Sequence, residues 1–205
     1  MTLLPTVGIE KSCDETDVAV LDGEGRVIVD LLASQAARHA PYGGVVPELA
    51  SREHLAALPL LVSRALAETK TAPELVAVTG GPGLIGALLV GVRVAAAFAW
   101  ARGLPLVWVD HLEGHLVSPF LDLAGGPARE LPRRVLALVA SGGHSSWYLM
   151  EGGGARRLCR TRDDAAGESF DKVAQVLGLP YPGGPVVDRY ARDGDPGAVS
   201  LPRPK

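Results

Sequence analysis

The sequence predicts a mixed α/β fold built from two related domains that face a cleft. Short apolar strands alternate with a glycine turn and an apolar helix between residues 75 and 109, the βαβ pattern of a sheet with helices packed on it. A strand–polar turn–strand pattern opens the chain and recurs after residue 134. Hydrophobic residues make up 47% of the 205 residues, which is enough to bury a sizeable core.

The first predicted domain covers residues 1–132 and opens with three antiparallel strands, at residues 7–10, 17–21 and 27–33. A polar hairpin, residues 12–16, joins the first two strands. Its Ser12, Asp14 and Glu15 could hold phosphate oxygens or, through water, a magnesium ion. The alternative is a plain polar hairpin tip, which is the more common outcome for such a sequence.

Two helices and two further strands complete this domain. A helix is predicted over residues 47–67, with Pro59 expected to kink or divide it. A strand at 75–79 enters the glycine turn 80–83, and an apolar helix follows over residues 84–101. Arg93, at the middle of that helix, would cost about 2.5–3.5 kcal/mol at the centre of a bilayer, so we expect a buried helix of a soluble protein.

A buried strand at residues 106–109 is expected to deliver two histidines. Asp110 is a plausible N-cap, and His111 and His115 follow four residues apart, so they share one helical face. Two imidazoles at this spacing are a common half of a zinc or iron site, although two polar histidines at a helix start fit equally well. Glu113 points away from such an ion, because two residues correspond to about 200° of helical rotation.

The second predicted domain covers residues 133–205, after a linker at 123–134 rich in Gly, Pro and charge. Strands are predicted at 135–140 and 145–150, with part of a third at 159–161. Helices are predicted at 168–177, with an apolar face of Phe170, Val173, Ala174 and Leu177, and at 186–192. Gly142 and Gly143, in the turn between the first two strands, would let the backbone approach a phosphate that His144 could touch, although a plain hairpin turn is equally acceptable.

Charge and cysteine content restrict the class of protein. The net charge of −3 argues against a general polyanion binder, so a nucleic acid would need a local patch. The four arginines at 156, 157, 160 and 162 are one candidate, but an ordinary solvated turn is the preferred interpretation. Cys13 and Cys159 give no disulfide framework, and the N-terminus lacks a signal-peptide pattern, so a cytoplasmic location is expected.

Six segments together resemble the TsaD (YgjD, Gcp) family, the tRNA N6-adenosine threonylcarbamoyltransferases. They occur in family order and spacing: GIEKSCDETDVAV, YGGVVPELASREHL, GGPGLIGALLVGVRVA, DHLEGHLVSPFL, ASGGHSS and DDAAGESFDKVAQVLGLPYPGGP. The resemblance covers roughly the N-terminal three-fifths of a typical member. It implies the two-lobed ASKHA fold of actin and Hsp70, with the second lobe incomplete.

The resemblance also implies an activity and a site. The family transfers threonylcarbamoyl from threonylcarbamoyl-AMP to N6 of adenosine 37 in tRNAs that read codons starting with A. His111 and His115 resemble two ligands of its iron(II) or zinc. The residues that resemble its substrate contacts are Ala140, Ser141, Gly142, Gly143 and His144 for the adenylate phosphate and acyl part, and Asp171 and Gly184 for the nucleoside. The implied partners are tRNA, a TsaB-like paralogous subunit and a TsaE-like ATPase.

Two departures from the family pattern bear on this expectation. Lys11 stands where the family usually has Thr, and its cation could attract phosphate or crowd it. The third metal ligand, an aspartate, and the adenine contact have no counterpart, so these 205 residues are expected to form an incomplete catalyst. The alternatives are a non-catalytic TsaB-like partner or a decayed, truncated copy. A metalloendopeptidase is disfavoured because Glu113 does not directly follow His111.

Overall fold

The computed structural model describes residues 3–200, and its first sheet has five strands in the order β3-β2-β1-β4-β5. The strands are β1 (Thr6–Glu10), β2 (Glu15–Leu21), β3 (Val27–Ser34), β4 (Leu75–Gly81) and β5 (Leu106–Asp110). The first three form an antiparallel meander, as predicted, and β4 and β5 add in parallel beside β1. Alternating apolar residues such as Val18 and Val20 on β2 point into the core.

Helices cover this sheet and its carboxyl edge. They are α1 (Ala36–His39), α2 (Pro47–Glu68), α3 (Ile85–Arg102) and α4 (His111–Val117), with single 3-10 turns at Ala40–Tyr42 and Ser118–Phe120. Helix α2 packs on α3 and on β2. Leu58 and Val62 of α2 join the core that the strands build. The predicted division at Pro59 is wrong, because α2 continues through this residue as one helix.

The expectation that the apolar helix is buried is also wrong in part. Only 22% of α3 is buried, and its buried positions are the small residues Ala87, Gly91, Ala95 and Ala99. Its large residues, such as Ile85 and Trp100, face outward with 84% and 87% exposure. By length and composition α3 could cross a membrane, but one such helix is weak evidence because core helices pass the same test.

Strand β5 differs from prediction in the same way. The sequence predicts a buried strand, but β5 lies at the edge of the sheet, and Trp108 is 68% exposed. An edge strand has a neighbour on one side only, so an apolar sequence alone does not bury it. Its position still places residue 110, where α4 begins, at the carboxyl end of the parallel strands.

The second sheet is an antiparallel meander of β6 (Arg134–Ala140), β7 (Ser145–Glu151) and β8 (Gly154–Arg160). The helices α5 (Ala166–Val176) and α6 (Gly183–Ala191) follow it and pack on each other. The predicted apolar face of α5 is largely exposed: of Phe170, Val173, Ala174 and Leu177, only Ala174 is buried. The arginine cluster, expected in a turn, lies mainly on strand β8.

Helix α4 connects the two sheets. Its Leu116 packs with Val139 of β6 and Tyr148 of β7 in a small second core. The division of the chain into lobes at residues 1–132 and 133–205 stays a prediction, and its outer ends, residues 1–2 and 201–205, lie outside the described residues. The histidines at the start of α4 therefore stand where both sheets are close.

Candidate active site

The two histidines converge at the start of α4. One carboxylate oxygen of Asp110 accepts hydrogen bonds from the amides of Leu112 (2.8 Å) and Glu113 (3.2 Å), which confirms the predicted N-cap. The first turn is thus fixed, and the Nε2 atoms of His111 and His115 lie 3.0 Å apart. Burial, followed by the neighbouring His111, lowers the pKa of His115, so its imidazole stays neutral at pH 7.

Glu10, at the end of β1, fixes the orientation of His111. Its Oε2 lies 3.3 Å from His111 Nδ1, its Oε1 accepts the Ser12 amide at 2.5 Å, and it also accepts the Thr79 hydroxyl. Burial alone would raise the pKa of Glu10, but hydrogen bonds from His111, Ser12 and Thr79 hold it well below its usual range. A carboxylate here requires a proton on Nδ1 of His111, so Nε2 is the ring nitrogen that faces His115.

The donor set fits part of a metal site. Neutral imidazole nitrogens suit zinc or iron, and a carboxylate behind a ligating histidine is the usual outer support. Within residues 3–200 no group of three or more His, Cys, Asp or Glu side chains is arranged to hold an ion. The nearest further histidine is His144, whose ring centre lies 6.0 Å from that of His111. The assignment of His111 and His115 as metal ligands stays a prediction.

The glycine turn between β6 and β7 stands beside this pair. The Ser141 amide donates to the His144 carbonyl (2.7 Å), and the His144 amide donates to Ser141 Oγ (3.1 Å). Gly142 and Gly143 are exposed, and a Cβ added at either residue would meet no atom within 4 Å. Ala140, the last residue of β6, is also exposed. The turn therefore presents open backbone, as a phosphate-binding loop requires.

Gly167, which the sequence interpretation missed, places this turn against α5. Its amide donates to the Ser141 carbonyl at 3.1 Å, and a Cβ on residue 167 would lie 2.7 Å from Gly142 Cα. Ser145 Oγ in addition accepts the Ala166 amide at 2.9 Å. The glycine in AAGES had no visible role in the sequence, because its contact is with a turn 25 residues earlier in the chain.

The hairpin at residues 12–16 is divided between two environments. Ser12 is buried at the histidine pair, with its hydroxyl 3.1 Å from His111 Nδ1. Asp14 is half-buried and Glu15 is exposed. Burial, then the charges of Asp14 and Asp171, raise the pKa of Tyr181 in the loop before α6. Residue 83 of the glycine turn 80–83 packs directly on Ser12.

Lys11 neither attracts nor crowds a phosphate in this arrangement. Its side chain is fully buried, runs beneath the sheet edge against Gly91 of α3, and donates through Nζ to the Thr79 carbonyl. Burial lowers its pKa to about 8, and the nearby Glu10 opposes that shift. The substitution relative to the family pattern is therefore accommodated inside the lobe.

A buried polar network supports the hairpin from below, and the sequence interpretation did not identify it. His54 of α2 bonds Thr16 through Nδ1 (2.7 Å) and the Cys13 carbonyl through Nε2 (2.9 Å). Gln35 links His54 to His39, whose Nδ1 accepts the Val46 amide. Burial lowers the pKa of His54 and keeps it neutral. The only sequence signal was the position of His54 in α2. It lies midway between Ala50 and Leu58 at helical spacing, so it shares their buried face.

Asp171 and Gly184 meet at the contact between α5 and α6. Asp171 Oδ1 accepts the Gly183 amide at 2.7 Å, so this carboxylate fixes the start of α6. A Cβ on Gly183 would lie 2.4 Å from that of Ala174, whereas one on Gly184 would meet only an ordinary contact. The structure thus places both residues at the helix junction, and their nucleoside contacts stay a prediction.

Comparison with known proteins identifies the family. The sequence model described as TsaD, tRNA N6-adenosine threonylcarbamoyltransferase, matches residues 26–205. Proteins of that name from Pelobacter propionicus and Sorangium cellulosum are 54% and 53% identical over 97% and 95% of this chain. The chain spans 58% and 57% of the length of these two relatives.

Solved structures agree on the fold. The Lmo2764 protein of Listeria monocytogenes matches with a TM-score of 0.52 at 14% identity, over 93% of this chain and 71% of that one. A ROK family protein from Streptococcus pneumoniae matches with a TM-score of 0.50 at 14% identity, over 95% and 68%. These likenesses concern the fold alone and confirm the predicted ASKHA-type architecture. On the sequence matches, the chain belongs to the TsaD family of tRNA N6-adenosine threonylcarbamoyltransferases.

Proposed function

We propose that this chain carries the adenylate-binding and histidine-ligand part of an enzyme that transfers threonylcarbamoyl from threonylcarbamoyl-AMP to N6 of adenosine 37 in tRNAs reading codons that start with A. The observation that carries the proposal is the His111–His115 pair, oriented by Glu10 and standing beside the open turn of residues 141–144. The names of the relatives from Pelobacter propionicus and Sorangium cellulosum support the same activity.

The reaction needs no protein nucleophile. The adenosine amine attacks the carbamoyl carbon, a C–N bond forms, the C–O bond to phosphate breaks, and AMP leaves while the amine loses a proton. The mixed anhydride already has a good leaving group, so the barrier lies in the charge that develops on the carbonyl oxygen. Exposed amides at Gly142 and Gly143 are suited to binding the phosphate or that oxygen.

The metal would be held by His111 and His115, with further ligands from outside the described residues, and iron(II) or zinc suits these nitrogens. When bound, such an ion acts as a Lewis acid toward the acyl oxygen. The chain's own contribution is to orient the imidazoles. The Glu10 carboxylate orients the ring of His111 through Nδ1, and the lowered pKa of His115 favours its neutral form. A magnesium ion near Asp14 and Glu15 of the hairpin is a further proposal, supported by two neighbouring carboxylates of which Asp14 is half-buried and Glu15 exposed.

The nucleoside part of the adenylate is proposed to lie near Asp171 and Gly184. One oxygen of Asp171 is engaged with the Gly183 amide, so the other oxygen is the one proposed for a ribose hydroxyl. The nucleoside could approach the backbone at residue 184 closely, because this glycine has no side chain at the helix junction. Ala140 and His144 are the proposed contacts to the phosphate and acyl part of the adenylate.

A TsaB-like subunit and a TsaE-like ATPase are proposed as partners in the cytoplasm, together with tRNA. The outward apolar side chains of α3, including Ile85, Leu89 and Trp100, are the surface available to a protein partner. This differs from the expectation that the apolar helix would be buried.

The test compares His111→Ala with Glu113→Gln in the natural protein. His111→Ala should abolish formation of the modified nucleoside and reduce bound metal, because it removes one of two ligand nitrogens. Glu113→Gln should change neither, since Glu113 is exposed on the same helix. Modified adenosine is measured by mass spectrometry of digested tRNA, and metal by elemental analysis.

Retained transfer in His111→Ala would refute the metal assignment. Loss of transfer in both variants would point instead to general damage to α4. If the unaltered protein shows no transfer but forms a complex with a full-length relative, the alternative of a non-catalytic TsaB-like partner would be favoured.

A further inference from the structure

A second cleft, of about 860 Å³, opens beside the histidine pair. One wall comes from the first lobe and the 141–144 turn, with Pro82, Leu112, Gly143 and His144. The other wall comes from β8 and the segment after it, and it carries Arg157, Arg160 and Arg162. Asp163 is the only acidic residue among the lining residues of this cleft.

A bulge in β8 brings two of these arginines to the same side. Residues 157 and 160 are three apart, so in a regular strand they would face opposite sides of the sheet. Here Tyr148 pairs with Arg157 and the adjacent Trp147 pairs with Cys159, which leaves residue 158 as an extra residue. One extra residue reverses the alternation, so Arg157 and Arg160 both line the cleft, while Arg156 does not.

The three guanidinium groups of the cleft form no ion pair with a carboxylate in the described part of the chain. Each arginine is exposed, and none makes a salt bridge within residues 3–200, whereas Arg134 and Arg192 both do. Three arginines against the single Asp163 leave the cleft with an excess of positive charge, in a chain with net charge −3, and this excess makes it a local anion-binding surface. Guanidinium forks match phosphate oxygens, often through two parallel hydrogen bonds.

We propose that the cleft lined by Arg157, Arg160 and Arg162 binds the phosphate backbone of the RNA substrate and so holds the target base at the histidine pair. This inference rests on the proposed function, which supplies an RNA that must reach His111 and His144. The cleft opens next to those residues, so a strand lying along β8 would enter the site from this side. Contacts of this kind fix position and register rather than read sequence.

The test measures binding of a fluorescent, unmodified tRNA transcript by anisotropy across a range of salt concentrations. The natural protein is compared with the R157Q/R160Q/R162Q variant and with R156Q, a matched control on the same strand outside the cleft. Loss of three phosphate contacts should reduce the slope of log affinity against log salt by about 2 and weaken binding by about tenfold or more at low salt. R156Q should bind within about twofold of the natural protein, since it keeps those three contacts.

Two outcomes would overturn the proposal: an unchanged slope in the triple variant, or an equal loss in R156Q. If the triple variant fails to fold by circular dichroism, R160Q alone should lower the slope by about 0.7, and an unchanged slope there refutes the inference equally. Competition with AMP and with inorganic phosphate distinguishes the source of the phosphate. Displacement of the transcript by either at equimolar concentration would assign the cleft to a small anion and refute RNA binding.

The readouts also separate this inference from the proposed function. Arginine-dependent RNA binding together with transfer that survives His111→Ala would refute only the metal assignment. If transfer depends on the metal but RNA binding does not depend on the arginines, only the proposal that the cleft binds RNA would be refuted.

Discussion

Replacing Gly91 with Ala should reveal how α3 accommodates the buried Lys11. A Cβ on residue 91 would lie 1.7 Å from Lys11 Cε, 2.3 Å from Cδ and 2.5 Å from Cγ. Three consecutive carbons are too close, and the lysine is fully buried, so rotation of its end does not remove the overlap. The helix or the lysine must move.

The sign of the effect depends on residue 11. Overpacking a core costs about 1–3 kcal/mol, whereas Gly→Ala inside a helix gains about 1 kcal/mol in propensity. In the natural background G91A should therefore lower the free energy of unfolding by up to about 2 kcal/mol. In a Lys11→Thr background the overlap is gone, and the same substitution should stabilise by about 1 kcal/mol.

Urea unfolding of the four proteins in this double-mutant cycle gives the coupling energy, expected at about 1–3 kcal/mol. Gly114→Ala in α4 is the control, because its Cβ would meet no atom within 4 Å and it should stabilise in both backgrounds. Additive effects of G91A and K11T would show that Lys11 does not occupy the space beside α3. The reasoning about the buried lysine would then be wrong.

Two further substitutions test other contacts. Burial and the neighbouring Asp30 raise the pKa of Asp17 from 3.8 to about 6, so the folded state disfavours its carboxylate, and stability should rise as pH falls from 7 through 6. D17N should remove that rise and stabilise at pH 7 in urea titrations, with the exposed D193N as control; an unchanged pH profile would contradict the shift. G167A should push the 141–144 turn out of place and weaken an unreactive adenylate analogue on the order of tenfold or more by calorimetry, because its Cβ meets backbone. G154A, which meets no neighbour, should bind normally, and normal binding by G167A would show that the turn is not held by α5.

The sequence predicted the features that depend on local pattern. The meander β1–β3, the parallel arrangement of β4 and β5, and the Asp110 cap follow from alternation, βαβ spacing and cap chemistry. The approach of His111 to His115 follows from their four-residue separation alone. Each of these depends on a short stretch of chain: a hairpin, one βαβ unit or one helical turn.

Burial and long-range contacts were harder to predict. Helix α3 is apolar on every side, so its sequence does not say that the small residues, rather than Ile85 or Trp100, face the sheet. The exposure of β5 follows from its position at the edge of the sheet. That position depends on the order of the strands and not on the sequence of β5. Glu10 and Gly167 act on residues 101 and 25 positions away, so no local pattern could have identified them.

The hydrogen bonds beneath the hairpin run in one direction. The Val46 amide donates to His39 Nδ1, which fixes the proton of His39 on Nε2 and makes it donate to Gln35 Oε1. The Gln35 amide group then donates to His54 Nδ1, and His54 must donate through Nε2 to the Cys13 carbonyl. A backbone amide before α2 thereby determines the tautomer of a histidine 8 residues later and the amide orientation of Gln35. Because the first donor is a backbone amide and the last acceptor a backbone carbonyl, the direction of these hydrogen bonds is fixed, and they hold the segment that carries Ser12 and Asp14.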